Sequence, residues 1–181
     1  MKRLILSLVL LFSLAFSASA FAGVVVKYAE WDKFLGQKRI AVEFSTDSLK
    51  YKRDHPLAEF LYKAKRADDW KAQSLQHFLN NFNMRLAVWG VEAYSAESGE
   101  KSAYVLRLMP HNVSSGGKLE GEGMVVDVAT NDVIISFSFA SSDGDDDDEI
   151  TFRDPMRELG DIVGKTFSNK IKSHSKRNKR Q

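Results

Sequence analysis

Met124-Val125-Val126-Asp127-Val128-Ala129-Thr130-Asn131-Asp132-Val133-Ile134-Ile135-Ser136-Phe137-Ser138-Phe139-Ala140 decides the fold class. In its second half Val133, Ile135, Phe137 and Phe139 alternate with Ile134, Ser136, Ser138 and Ala140. That period of two is the mark of a strand with one buried face. Asn131-Asp132 stands where a tight turn is needed, and both residue types tolerate the positive φ of such turns. Residues 118–129 and 133–141 are therefore predicted to form an antiparallel hairpin.

Working outward, residues 39–44 set Ile40, Val42 and Phe44 on one face and Ala41 and Glu43 on the other, again a strand. Residues 87–94 and 103–109 read as two more, the second alternating Tyr104, Leu106 and Leu108 with Val105, Arg107 and Met109. Helical spacing appears twice. Leu75, Phe78, Leu79, Phe82 and Leu86 form one apolar stripe over residues 69–86, which Asp68 or Asp69 can cap. Met156, Leu159, Val163, Phe167 and Ile171 form another, opened by Asp154 as cap and Pro155 at the first helical position. A short helix after Pro56 adds Leu57, Phe60, Leu61 and Ala64. Amphipathic strands beside amphipathic helices imply an α+β fold in a single two-layer domain. Its expected sheet is mostly antiparallel, of four to five strands, with helices on one face and water on the other.

The ends carry a different signal. Lys2 and Arg3 precede an apolar run over residues 4–16, and Ala18-Ser19-Ala20 supplies the small residues of a cleavage site, with Ala20-Phe21-Ala22 as a second choice. This is the three-part pattern of an export signal over residues 1–20, too short in its apolar part to span a bilayer. The expected product is periplasmic or secreted, a domain over residues 24–172 followed by a basic, disordered tail over 173–181. The formal charge is +2, from 26 basic and 24 acidic side chains. With Lys2 and Arg3 set aside alongside the leader, basic and acidic groups balance, which argues against a nucleic-acid surface. The chain has no cysteine, so disulfides, thiolate nucleophiles and a lipid-bearing cysteine are excluded.

Signatures of chemistry are sparse. The acidic run Asp143-Gly144-Asp145-Asp146-Asp147-Asp148-Glu149 can be read as a twelve-position calcium loop, with Asp143, Asp145 and Asp147 at its first three odd positions and Asp154 at its last. Against this, Asp148 stands where the loop's turn wants glycine, and Asp154 is also the helix cap. The plainer reading is a solvated connection whose charge discourages edge-to-edge sheet pairing. His55, His77, His111 and His174 show no zinc spacing and flank no nucleophile motif. Gly121 and Gly123 lead into a strand, not a helix, which points to a bulge or close strand packing over a phosphate cradle. Trp31, Trp70 and Trp89 could line a cleft or pack in the core. Lys172, Lys176, Arg177, Lys179 and Arg180 could touch an anionic surface, though no aromatic residues interleave them.

Three stretches together resemble a known group: the opening strand over 39–44, the hairpin from Met124 to Val133, and the closing helix from Pro155 to Ile171. Their order is similar to the small α/β domain of bacterial envelope proteins, as in the curli-secretion lipoprotein, the amino-terminal domain of the Tol-system propeller protein and several uncharacterised periplasmic families. The chain departs from the lipoproteins in lacking their cysteine. The resemblance implies a non-enzymatic binding or assembly module with an envelope protein as partner, and transfers no catalytic residue. The alternative is a calcium-responsive or small-ligand-binding module using residues 143–154.

Overall fold

The computed structural model describes residues 22–63, 70–142 and 153–178. The expected export signal and the acidic run over 143–150 lie outside them, as do Lys179 and Arg180. The chain opens with strand β1 (Gly23–Ala29), a one-turn helix α1 (Trp31–Phe34) and strand β2 (Arg39–Phe44). Two-residue strands β3 (Lys50–Tyr51) and β4 (His55–Pro56) follow, then helices α2 (Leu57–Lys63) and α3 (Trp70–Leu86). Strands β5 (Glu92–Ser95), β6 (Tyr104–Val113), β7 (Leu119–Asp127) and β8 (Val133–Ala140) precede the long helix α4 (Arg153–Asn178).

The hairpin forms as its sequence demands. β7 and β8 pair antiparallel, and Asn131 takes the turn position with φ of 61°. The Asp127 carboxylate accepts hydrogen bonds from the Ala129 and Thr130 amides at 2.9 and 3.3 Å, closing the turn from the strand side. Gly121 and Gly123 are in β7 because nothing larger fits. A methyl at Gly121 would lie 2.5 Å from the Pro110 Cα, and one at Gly123 would collide with the Phe137 ring. Pro110, in register with Gly121, stands next to the register shift between Pro110 and Asn112, a setting in which strands accommodate proline.

The sheet itself corrects the expectation of four to five mostly antiparallel strands. It is an eight-stranded mixed sheet in the order β1-β8-β7-β6-β2-β5, with β3 and β4 attached beside β6. One half, β1-β8-β7-β6, is antiparallel, whereas β2 runs parallel to both β6 and β5. The parallel half arises because β2 reaches each neighbour through a long connection carrying helices, as a parallel crossover requires. Residues 87–94, expected as one strand, divide into a 3-10 turn over Ala87–Trp89, Gly90 at φ 62°, and then β5. The tail expected to fray from residue 173 is helical through Asn178 as the end of α4.

All helices put their apolar sides into one core on a single sheet face. Phe78, Phe82 and Leu86 of α3 and Met156, Leu159, Val163 and Phe167 of α4 join Ile40, Val42, Phe44, Leu106, Leu108, Val125, Ile135 and Phe137. Phe167 is the hub, edge-on to Trp31 at 5.3 Å, Phe34 at 5.5 Å, Phe82 at 5.7 Å and Phe137 at 6.1 Å. The two long helices approach closely because α4 presents Gly160 and Gly164. A methyl at Gly160 would strike the Phe78 carbonyl, and one at Gly164 would lie 2.8 Å from the Arg85 Cβ. Polar contacts then fix the seam: Asn81 Nδ2 donates to the Arg157 carbonyl at 2.8 Å, and Arg85 meets Asp161 at 2.5 Å.

Candidate binding surfaces

Cross-strand partners in a sheet share a face, and on the face away from the helices they fall into three rows. The first runs Tyr94, Ala41, Val105 and Val126. The second runs Glu43, Arg107, Met124, Ser136 and Tyr28, and the third Met109, Glu122, Ser138 and Val25. Ala41, Tyr94 and Val126 are buried by their neighbours, yet none of the three belongs to the helix-covered core. Val105, Met109 and Met124 are half-buried, and Val25 is 65% exposed. Charge is interleaved with these apolar side chains, since Arg107 stands between Val105 and Met109 along β6 and opposite Met124. Arg107 Nε donates to Glu43 at 2.9 Å, Lys27 Nζ meets Glu122 at 2.6 Å, and Arg39 pairs with Glu100 while its guanidinium lies 4.5 Å from the Tyr94 ring.

Electrostatics on this face are those of paired surface charges. Burial pushes the Glu120 carboxyl up, but the hydrogen bond and charge of Lys118 at 3.1 Å, with Asn112 and His111, bring it below the usual carboxylate range. The Tyr94 hydroxyl is the exception: it is buried without a hydrogen-bond partner among the described residues.

The two ends of the sheet are treated differently from the face. At β5, Asn83 of α3 donates to the Ala93 carbonyl at 2.8 Å and accepts from the Ala93 amide at 2.6 Å, so a side chain occupies that edge. At β1 a register shift between Val26 and Tyr28, with Lys27 beside it, twists the edge and charges it. Both devices oppose strand addition.

A second surface is a groove of about 410 Å³ where α1 turns into β2 beside the end of α4. Phe34, Leu35, Trp89, Val91 and Ile171 form its apolar walls, and Lys38 and Ser175 are at its rim. Trp89 is held there by its indole N–H, which donates to Ser168 Oγ at 2.9 Å. The groove draws on three distant segments, so no local motif announced it.

The residues singled out in the sequence are dispersed. Asp143, Asp145 and Asp147 lie outside the described residues. Asp154 faces two guanidinium groups, Arg153 at 3.5 Å and Arg157 at 3.7 Å, a setting that opposes a bound cation. Among the described residues no three His, Asp or Glu side chains are grouped as a metal would need. His55 pairs with Glu59 at 2.9 Å and His174 with Asp32 at 3.2 Å, while His111 is exposed at the β6 bulge. Lys172, Lys176 and Arg177 are exposed on the last turns of α4, beside the groove residues Ile171 and Ser175. Trp31 is in the core and Trp70 packs edge-on to Phe44 at 6.3 Å, leaving Trp89 as the tryptophan of a cleft.

No family model matches the sequence, and no curated protein does. Solved structures give distant likenesses. A PelC dodecamer from Paraburkholderia phytofirmans aligns at 10% identity and a TM-score of 0.43, covering 71% of this chain and 88% of that one. The protein XCC0632 from Xanthomonas campestris, of family model DUF330, aligns at 13% identity and a TM-score of 0.37, covering 76% and 88%. Neither of the two is the curli-secretion lipoprotein or the Tol-system propeller protein. At these scores they carry no argument about role. No helix among the described residues is long and apolar enough to cross a membrane.

Proposed function

We propose that the protein is an exported, non-enzymatic binding module of the bacterial envelope, and that it acts through protein contacts made by the sheet face opposite the described helices. One observation carries this: the three cross-strand rows set Val105, Met109 and Met124 around Arg107, with Glu43 and the Lys27–Glu122 pair interspersed among them. Methionine and arginine side by side on a sheet face are residue types enriched at protein interfaces. Methionine adds adaptability, since its unbranched side chain can repack against different partners. The guarded edges at β1 and β5 favour the face over strand addition as the route of contact. Export is supported by the basic, apolar and small-residue order of residues 1–20.

The test is capture from an envelope extract by the purified protein and by the double variant Met109→Glu, Met124→Glu. The wild type is expected to retain a reproducible partner that the folded double variant loses. Equal capture by both, or turnover of a substrate with no capture, overturns the reading.

A further inference from the structure

The groove beside Trp89 combines three features that together specify a ligand class. Its size is in the range of small-molecule sites, about 300–1,000 Å³, at about 410 Å³. Its walls are apolar down to core side chains, since Phe34, Val91 and Ile171 are each nine-tenths buried or more. Its rim carries one ammonium. Lys38 is exposed, and among the described residues no carboxylate pairs with it.

The backbone anchors the root of that lysine. The Lys38 carbonyl accepts from the Glu92 amide at 2.8 Å, tying the start of β2 to β5. The Lys38 Nζ then lies over Gly90, where an added methyl would be only 3.6 Å from it. Gly90 stands between the wall residues Trp89 and Val91, so the charge lies at the mouth of the apolar cleft. The nearby acids are already engaged, Asp32 with His174 and Glu92 with Arg39 at 3.6 Å.

We infer that this groove binds a single-chain amphiphile with an anionic head, its apolar chain against Trp89, Val91 and Ile171 and its head at Lys38. An apolar chain alone would leave the ammonium unused, and a small anion alone would leave the walls wet. The site is separate from the sheet face and does not rest on the reading of that face.

The probe is decanoate, followed through the Trp89 indole N–H signal by NMR in the purified protein. Decanoate is expected to shift that signal saturably, and decyltrimethylammonium, with the same chain and opposite charge, to bind about ten-fold more weakly. Lys38→Glu, at an exposed side chain, is expected to weaken decanoate about ten-fold while Lys38→Arg retains it. Ser175→Trp, which fills the rim from the helix side, is expected to abolish the shift. The variant Met109→Glu, Met124→Glu is expected to bind decanoate as the wild type does. Three outcomes overturn the inference: no shift at millimolar decanoate, equal binding of the cationic and anionic chains, or binding indifferent to both Lys38→Glu and Ser175→Trp. A Trp89 shift that follows protein concentration and ignores decanoate assigns the groove to a second copy, and one seen only with anionic vesicles assigns it to a membrane. Each overturns the free-amphiphile reading.

Discussion

The two faces of the one sheet are built on opposite principles. The helix-covered face is aromatic and close-packed, with Phe44, Phe137 and Phe139 from the strands meeting Phe78, Phe82 and Phe167 from the helices. The other face mixes Val105, Met109 and Met124 with the Arg107–Glu43 and Lys27–Glu122 pairs. Interiors are packed like crystals, so changes of a single methyl are felt there. Exposed ion pairs contribute little to stability, with a median of about 0–1 kcal/mol. The difference teaches that the first face specifies the fold and leaves the second free to carry function.

The largest effect should come from the hub of the first face. Phe167→Ala removes a ring that meets four others, and is expected to cost about 3–5 kcal/mol in chemical denaturation. A loss under about 1 kcal/mol would break the contrast between the faces. Next comes Gly160→Ala, which forces α4 off the Phe78 carbonyl at a cost of about 1–3 kcal/mol. Gly123→Ala, against the Phe137 ring, belongs in the same class.

On the second face the effects shrink and one changes sign. Tyr94→Phe removes a buried hydroxyl without a partner among the described residues, so it is expected to raise stability by up to about 1 kcal/mol. A destabilised Tyr94→Phe would show that the hydroxyl is satisfied after all. Glu120 gives the smallest effect. Its folded pKa is held down, so its contribution is present above the unfolded glutamate pKa and fades as pH falls through the lower folded value. Lys118→Met should move the Glu120 carboxyl titration upward in an NMR titration and flatten that acid-side dependence.

What the sequence disclosed follows the same division. Ile40, Val42 and Phe44 in β2, the stripe of α3 and the Asn131 turn were legible because each is a local period or a local backbone demand. Of the two readings of Gly121 and Gly123, a bulge or close packing, close packing is the one their contacts match. β1 was hidden, since Val24-Val25-Val26 follows the expected leader without an alternation of its own. β3 and β4 are too short to leave a pattern, and parallel pairing of β2 with β5 and β6 depends on contacts far apart in sequence. The end of α4 was missed because Lys172 to Asn178 carries no apolar stripe, although Lys and Arg favour helices. The residues of the second face were visible as the other half of each alternation, but their three rows required the register. The groove, drawn from residues 34–38, 89–91 and 171–175, left no trace in any one stretch.

The claim that the second face makes the protein's contacts is tested most directly by site-specific photo-cross-linking in the envelope. A photoreactive residue at Met124, in the middle of the three rows, is compared with one at Lys165, exposed on α4. The account predicts one discrete adduct from position 124 and none from 165, with the 124 adduct lost when Met109→Glu is added. Adducts from position 165 with none from 124 would contradict it, and place the working surface on the helices.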